Sequence, residues 1–307
     1  MNKFILTLTC LVTVAFFPAH SFAVAKFKIT TYNVRNFANI DEDENIDKSI
    51  ATNTDVKALF EVLSEVDSDI MAFQEIINGT LFRNLLSKKL PQHELLISEC
   101  GGTADQKVAL AYNSKKFKLI SSEEDWRVSL STRCNYGLRP ALVTVLRHKV
   151  TGKKVGVVVV HLKAGSGDRN RNTRREQHEV LSVILSELET KRLDDVIVLG
   201  DFNTTSYFEQ TPGAAQFEDF MKTNDLRNSS ASVSCTSFWQ GDRGDGNMAP
   251  SHLDHVLHRG KSRIQRAYSG AHCARSACQP TPKDELGASF NSVSDHCPVQ
   301  VEFRFPR

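Results

Sequence analysis

The sequence predicts an α+β fold in which two β-sheets pack against each other and helices cover their outer faces. Strand-like runs outnumber helical ones in the 307 residues, the helical runs fall between strands, and no regular β-α-β alternation persists. The chain also shows no internal repeat, no low-complexity tract and no linker long enough to divide it. We therefore expect a single domain over residues 24–307.

The strands are predicted from short runs of β-branched and aromatic residues bounded by polar residues or glycine. The run over 195–199 (DVIVL) is followed at once by Gly200 and Asp201, as expected of a buried strand that stops at a sheet edge. The predicted strands cover 26–34, 69–75, 93–98, 108–112, 141–147, 154–160, 195–199, 234–239, 252–257 and 299–303.

The helices are predicted where apolar residues recur at helical spacing. Thr54 and Asp55 provide a start signal for the first of them. The predicted helices cover 54–67, 81–89, 174–191 and 217–223. The segments predicted as polar or glycine-rich loops cover 99–107, 123–138, 165–172, 241–250 and 260–288.

The N-terminus has the pattern of a secretory signal peptide over residues 1–23. Lys3 precedes an apolar stretch over 4–17, Pro18 ends that stretch, and Ser21-Phe22-Ala23 offers a small-x-small cleavage site. A buried N-terminal helix is the alternative. No run of 18 apolar residues predicts a transmembrane helix. We expect an exported protein, periplasmic or extracellular, with no stable membrane anchor.

The cysteine count supports export. Six of the seven cysteines lie outside the N-terminal segment, and an even number after a secretory signal is typical of disulfides. Six cysteines allow 15 pairings, among which the sequence cannot choose. Cys273 and Cys278 are close enough in sequence for a local bridge. A zinc site is the competing interpretation, but no Cys-x-x-Cys pair supports it.

Polar side chains lie at the ends of five predicted strands and at the entry to the last one, which indicates a site. Three carboxylates, a further aspartate and two histidines suit Mg²⁺-assisted phosphodiester hydrolysis, since Mg²⁺ takes few carboxylates together with waters and phosphate oxygens. Turn-forming polar residues are the alternative for any one strand end taken alone. The residues concerned are Asn33, Glu75, His161, Asp201, Asn203, Asp254, Asp295 and His296.

Six motifs in order, TYNV, FQEI, VVHLK, VLGDFN, HLDHV and SDHCPV, resemble the endonuclease/exonuclease/phosphatase superfamily. The stretches TYNVRNF and LRPALV and the secretory signal are most similar to the secreted deoxyribonuclease I-type branch. The resemblance spans residues 27–303. It implies a four-layer α/β/β/α sandwich of two packed, mainly antiparallel sheets, and a divalent-metal-dependent phosphodiesterase.

The resemblance also implies roles for individual residues. It assigns Glu75, Asn33 and Asp295 to a divalent metal, Mg²⁺ or else Mn²⁺ or Ca²⁺. It places the catalytic work, meaning water activation, phosphate binding and proton transfer, on His161, Asp201, Asn203, Asp254 and His296. Asp254 is expected to orient His296, and His161 to lie near the leaving oxygen. The phosphate contacts are expected from Arg139, Asn203 and Arg35.

The sequence departs from the deoxyribonuclease I pattern in one strand. That branch has a glutamate there to orient the second histidine, whereas this chain has Gln106 and Lys107. A basic run after His161 offers phosphate-backbone contacts through Lys163, Arg171 and Arg174, although a solvated helix start would look the same. His252, His255 and His258 are interpreted as core or surface residues and not as ligands.

The net charge of +2 does not by itself indicate a nucleic-acid partner. The leading hypothesis is a secreted, monomeric nuclease that acts on nucleic acid, with DNA favoured over RNA. A sphingomyelinase-type phospholipid phosphodiesterase is the alternative enzyme, and it would need an exposed apolar hairpin that the polar loops do not show. A non-catalytic binding module is a third possibility, and the intact set of site residues argues against it.

Overall fold

The computed structural model describes residues 25–39, 49, 51–204, 211–241 and 244–306. The predicted signal peptide lies outside the described residues. The strands are β1 (Lys26–Ala38), β2 (Thr52–Asn53), β3 (Ile70–Ile76), β4 (His93–Ile97), β5 (Lys107–Asn113), β6 (Phe117–Asp125), β7 (Ala141–His148), β8 (Lys154–His161), β9 (Asp195–Asp201), β10 (Arg227–Asn228), β11 (Ser237–Trp239), β12 (Asn247–Ser251), β13 (Asp254–Gly260), β14 (Arg263–Ser269), β15 (Thr281–Pro282) and β16 (Val299–Arg304).

The helices lie between these strands. They are α1 (Val56–Val66), α2 (Gly79–Lys89), α3 (Asp168–Glu189), α4 (Pro212–Thr223) and α5 (Ala271–Arg275). Asp55 caps α1 by accepting a hydrogen bond from the backbone N–H of Ala58, and Thr211 caps α4 in the same way through Ala214. Pro212 then occupies the first turn of α4, where its missing N–H costs nothing.

Two large sheets form the centre of the molecule. The first sheet has the order β14-β16-β1-β3-β5-β4, with β2 beside the end of β1. The second sheet has the order β10-β13-β9-β8-β7-β6. Most neighbouring strands are antiparallel, and the exceptions are β1 with β2 and β3, and β8 with β9. A small third sheet, β11-β12-β15, lies at one end.

The hydrophobic core has three layers that match this arrangement. Apolar side chains from the facing surfaces of both sheets, among them Phe27, Leu110 and Val157, form the central layer. A second cluster packs α3 and α4 on the second sheet, and a third packs α1 and α2 on the first. The predicted α/β/β/α sandwich is confirmed.

The differences from the predicted elements fall mostly at edges. The strands β6 and β14 were not predicted, because they are edge strands with one solvated side and lack the apolar runs of central strands. The strand β12, in the middle of the small third sheet, was not predicted either and overlaps the expected glycine-rich loop. Helix α3 begins at Asp168, six residues before its predicted start, so part of the expected polar loop is helical. The apolar stripe of α3 starts later than the helix itself, which explains the error.

Three disulfides join Cys100 to Cys134, Cys235 to Cys278 and Cys273 to Cys297. The local bridge that the spacing of Cys273 and Cys278 would allow does not form. Cys273 lies in the short helix α5, and its backbone N–H donates a hydrogen bond to the sulfur of Cys297, its disulfide partner. The bonds that form are long-range ones, and only folding brings their cysteines together.

Candidate active site

The second sheet places three of the predicted site residues in one row. His161 ends β8, Asp201 ends β9 and Asp254 begins β13, and the strand register sets Asp201 opposite both of the others. All three are buried. Gly200 permits this close approach, because a Cβ atom there would lie 1.9 Å from the carbonyl oxygen of Val160. The sequence Gly-Asp therefore serves the packing of β8 on β9 as well as the site.

The first sheet contributes Asn33 and Glu75, which face this row. The side-chain amide of Asn33 donates hydrogen bonds to Oε1 of Glu75 and to Oδ2 of Asp201, both at 3.0 Å. It thus links the two sheets at the site. Glu75 has a φ of 64°, a left-handed conformation that is unusual for a residue with a side chain, at an irregularity in the pairing of β1 with β3. Such local strain is typical of functional positions.

Two residues that the sequence did not assign hold Glu75 from the other side. The backbone N–H of Asn36 donates to Oε2 of Glu75 at 3.0 Å. The amide of Gln106 donates in turn to Oδ1 of Asn36 at 2.7 Å. Asn36 lies in the TYNVRNF motif, so its position in the sequence was a usable signal. Gln106, which directly precedes β5, was noted in the sequence only as a departure from the deoxyribonuclease I-type pattern.

His296 lies against Asp254, as predicted. Its Nδ1 is 2.8 Å from Oδ2 of Asp254, and its Nε2 is 3.9 Å from Oδ2 of Asp201. Burial opposes the charged imidazole, but the carboxylates of Asp254, Asp201 and Asp295 outweigh it and hold the pKa of His296 well above its usual range. His296 is therefore a cationic imidazole at neutral pH.

His161 has the opposite environment. Its Nε2 lies 3.5 Å from Oε1 of Glu75 and 3.6 Å from Oδ2 of Asp201. Its Nδ1 is buried and has no hydrogen-bond partner among the described residues. Burial, together with the positive charges of Arg139 and His296, lowers the pKa of His161 well below its usual value. The sequence lacks the glutamate that orients this histidine in the deoxyribonuclease I-type branch. Among the described residues, no other carboxylate bonds to Nδ1 of His161 in its place.

The two central carboxyl groups also depart from ordinary behaviour. Burial raises the pKa of Asp201 to about 6, against the influence of the charged His296. Burial likewise raises the pKa of Glu75, and the nearby charges of Asp201 and Asp295 add to the shift. Both carboxyl groups therefore hold a proton more readily than an exposed carboxyl group does. Groups with such shifts, in a cluster, are typical of catalytic centres.

The three expected phosphate-binding residues take different positions. Arg139 is buried, and its Nε and Nη2 donate to the carbonyl oxygens of His161 and Leu162 at 3.1 and 2.5 Å. Asn203 donates its backbone N–H to Oδ1 of Asp201 at 2.8 Å, and its amide to the carbonyl of Leu162 at 3.2 Å. Arg35 reaches the carbonyl oxygen of Asn291 at 3.3 Å. Arg139 and Asn203 therefore also fix the backbone beneath the site.

The basic run divides into two groups. Arg174 is 4% exposed, and its Nη1 donates to the carbonyl oxygens of Lys163 and Gly165 at 2.6 and 2.8 Å. We therefore interpret Arg174 as a support for the loop after β8 and not as a phosphate contact. Arg171 forms an ion pair with Asp168, and Nζ of Lys163 donates to the carbonyl oxygen of Ala164 at 2.9 Å.

Further support for the histidine pair comes from two hydroxyl groups that the sequence did not reveal. Ser294 donates to the carbonyl oxygen of Asn33 at 2.7 Å and accepts from the backbone N–H of His296 at 3.0 Å. Thr236 accepts from the backbone N–H groups of Leu253 and Asp254 at 2.8 and 3.0 Å. Ser294 belongs to the SDHCPV motif, whereas nothing around Thr236 marked it.

The metal-ligating oxygens and nitrogens gather around Asp201. Glu75, His161 and Asp201 each offer one ligand atom within 4.8 Å of the others, and so do Asp201, Asp254 and His296. Among the described residues, Asp295 joins neither group, although its charge acts on both Glu75 and His296. The third group, His272 with Cys273 and Cys297, contains a disulfide and offers no thiolate.

This geometry agrees with the comparison of the chain with known families. The model of the endonuclease/exonuclease/phosphatase family matches residues 30–296. The chain belongs to the endonuclease/exonuclease/phosphatase family. Members of this family are metal-dependent phosphoesterases or nucleases, and they generally depend on a divalent metal. The family resemblance seen in the six motifs is confirmed.

Solved structures of the family share the fold at low sequence identity. The human Nocturnin catalytic domain with bound sulfate is 18% identical, with a TM-score of 0.64, over 92% of this chain and 95% of that one. A mannosyl-6-phosphatase of Bacteroides thetaiotaomicron is 19% identical, with a TM-score of 0.61, over 91% and 100%.

D. rerio TDP2 complexed with a single-strand DNA product is 14% identical, with a TM-score of 0.61, over 91% of this chain and 99% of that one. A comparison with curated protein sequences gives no significant match. At these identities the structural neighbours establish the fold alone.

Proposed function

We propose that this protein is an exported, divalent-metal-dependent nuclease that hydrolyses phosphodiester bonds of nucleic acid, with DNA as the favoured substrate. The observation that carries the proposal is the position of Asp201. Its carboxylate lies between two imidazoles of opposite protonation, 3.6 Å from His161 and 3.9 Å from His296, and accepts a hydrogen bond from Asn33. A carboxylate that can act as a base, Asp201, thus lies next to a positively charged imidazole, His296.

The residues around Glu75 fit a divalent cation. The partly exposed carboxyl group of Glu75 and the buried one of Asp201 share one neutral amide donor, Asn33. Carboxylate and amide oxygens are the ligands that Mg²⁺, Mn²⁺ and Ca²⁺ accept. Glu75 and Asn33, with Asp295 beside them, would hold the ion. When bound, such an ion offsets the negative charge on the phosphate oxygens.

The chain's own residues provide the proton transfer. Asp201, whose pKa is about 6, is ionised at neutral pH and basic enough to accept a proton from a water molecule. The backbone N–H of Asn203 fixes its other oxygen. His296 is cationic and can neutralise a phosphate oxygen or donate a proton through Nε2, because Asp254 occupies Nδ1. His161, being neutral, can accept a hydrogen bond or bind a cation.

Several further observations support an exported enzyme that acts on nucleic acid. Three disulfides are typical of an oxidising compartment. Among the described residues, no helix is long and apolar enough to cross a membrane. A structural neighbour, TDP2, was solved with single-strand DNA. Lys163 and Arg171 lie on the loop and helix that follow His161, where neighbouring phosphates of a polymeric substrate would pass. We propose that the enzyme acts as a monomer.

The experiment is an activity panel on purified protein that lacks residues 1–23. It compares duplex DNA, RNA, bis(p-nitrophenyl) phosphate, p-nitrophenyl phosphate and sphingomyelin, each with Mg²⁺ and with EDTA. We expect Mg²⁺-dependent cleavage of nucleic acid and of the diester, and a loss of more than about 10³-fold in Asp201→Asn. Activity on the monoester alone would indicate a phosphatase. Activity on sphingomyelin alone would favour the lipid phosphodiesterase and contradict the nuclease.

A further inference from the structure

A groove lies beside the loop after β8 and the segment that precedes β7. Its inner part, with a volume of about 530 Å³, is lined by Leu138, which precedes Arg139, and by Lys163, which follows His161 by two residues. Its outer part, of about 810 Å³, is lined by the segment 126–136. Leu130 lines both parts, so the two parts adjoin at this side chain.

The inner part of the groove is positively charged. Lys163 and Arg169 line it, together with the polar Asn170 and Thr173. Burial lowers the pKa of Lys163, and so do the positive charges of three surrounding arginines, Arg139, Arg174 and Arg169. The positive side chains repel one another, and few acidic groups lie among them. They therefore favour the binding of an anionic polymer, whose phosphates offset this repulsion.

The outer part presents aromatic rings to solvent. Tyr136 is 59% exposed and Trp126 is 39% exposed, which is unusual for such large side chains. The guanidinium of Arg133 lies 5.6 Å from the centre of the Tyr136 ring. Aromatic rings and arginine planes are the surfaces on which unpaired bases stack, whatever their sequence.

Covalent and hydrogen-bonded links hold the aromatic segment to a neighbouring loop. The disulfide from Cys134 to Cys100 ties it to the loop after β4. The backbone N–H of Thr103 also donates to the carbonyl oxygen of Gly137 at 3.2 Å. Gly102 permits this contact, since a Cβ atom there would lie 2.6 Å from the carbonyl oxygen of Leu138 and its φ is +69°. A platform that is ordered beforehand loses little entropy when it binds.

We propose that this groove binds a single-stranded segment of the nucleic-acid substrate next to the cleaved phosphate, with bases stacked on Tyr136 and Trp126 and phosphates against Lys163 and Arg169. The inference rests on the proposed nuclease function and specifies its substrate. Unpaired bases are required because a base within a duplex cannot present its face to an exposed ring. The enzyme should therefore prefer single-stranded or gapped substrates over blunt duplexes.

The test measures binding of two fluorescein-labelled 12-mers by anisotropy in EDTA: oligothymidylate and a chain of abasic sites with the same phosphates. We expect Tyr136→Ala to weaken oligothymidylate binding about tenfold and to leave abasic binding within twofold of wild type. Arg169→Ala should weaken both, and should lower the slope of log Kd against log salt by about 0.7. Thermal unfolding confirms that each variant is folded.

Tyr268→Ala is the matched control. Tyr268 also carries an arginine over its ring, since Arg266 lies 5.1 Å from the ring centre, but it belongs to the edge strand β14. Its removal should leave both affinities unchanged. Equal losses in Tyr136→Ala and Tyr268→Ala, or wild-type affinity in Tyr136→Ala, would overturn the proposal.

Two further outcomes separate this inference from the function on which it rests. If the protein binds oligothymidylate through Tyr136 but cleaves no nucleic acid, the groove is a single-strand binding site and the proposed nuclease function is refuted. Cleavage of duplex DNA without any preference for the oligothymidylate over the abasic chain would refute the groove alone. Tyr136-dependent binding to sphingomyelin vesicles, with none to oligothymidylate, would assign the aromatic segment to a lipid surface instead.

Discussion

The two histidines of the site, His161 and His296, differ in the partner of Nδ1 and in the direction of their pKa shift. His296 has a carboxylate partner on Nδ1, at 2.8 Å, and a raised pKa. His161 has no partner on Nδ1 among the described residues, and its pKa is lowered. Both approach the same oxygen of Asp201. The difference shows that the surrounding charges, and not the imidazole itself, divide a cationic role from a neutral one.

The largest expected effect is on the His296 side. We expect His296→Gln to lower kcat on nucleic acid about 10³-fold, because glutamine can neither hold a positive charge nor transfer a proton. Single-turnover rates at saturating Mg²⁺ measure the loss. A decrease of less than tenfold would show that the cationic imidazole is not part of the chemical step.

The partner of His296 should matter next. Asp254→Asn removes the charge that raises the pKa of His296, so the imidazole will lose its proton at a lower pH. If the cationic form is needed, kcat should fall about 10²-fold at pH 8 and much less at pH 6. The test is a profile of kcat from pH 5.5 to 9, in which the alkaline limb should move to lower pH. An unshifted limb would contradict the assignment.

A smaller effect is expected on the His161 side. His161→Asn should lower kcat only about tenfold, because the neutral, unoriented imidazole acts mainly by its position beside Glu75 and Asp201. Since that position is also where a cation would bind, the Mg²⁺ concentration for half-maximal activity should rise. A loss as large as that of His296→Gln would remove the proposed asymmetry.

The smallest effect concerns a third buried histidine, His178, which has no carboxylate partner and does not belong to the candidate active site. Neither ring nitrogen has a hydrogen-bond partner among the described residues, and the ring stacks on Phe220 with 4.6 Å between centres. Burial, with the charge of Arg174, lowers its pKa to about 3. The unfolded chain therefore takes up a proton near pH 6.5 that the folded chain refuses, so stability must fall as the pH drops below 6.5.

We expect His178→Phe to raise Tm by about 2–4 °C at pH 7, because the two ring nitrogens that lack partners at this position are then removed. The fall of Tm between pH 6.5 and 4 should also become shallower, while activity stays at the wild-type level. Calorimetry across that range measures both effects. The control is His93→Phe, which loses the hydrogen bond from Nε2 to the carbonyl oxygen of Ser68 and should lower Tm.

The sequence by itself determined the composition of the site. A strand that ends in Gly-Asp-x-Asn, or in a glutamate or a histidine, delivers that residue to a sheet edge, because strand periodicity and termination are local properties. Asn33, Glu75, His161, Asp201 and Asp254 were found in this way, His296 was found at the entry to the last strand, and the six meet around Asp201. The family and the sandwich fold followed from the same motifs.

Only the tertiary structure decided what those residues can do. The protonation of His161 and His296 depends on burial and on charges brought close by folding, such as those of Asp201 and Asp254 beside His296. The burial of Arg174, the disulfide partners and the left-handed backbone of Glu75 depend likewise on packing. Distances between remote residues set pKa values, pairings and exposure, and no local pattern contains those distances.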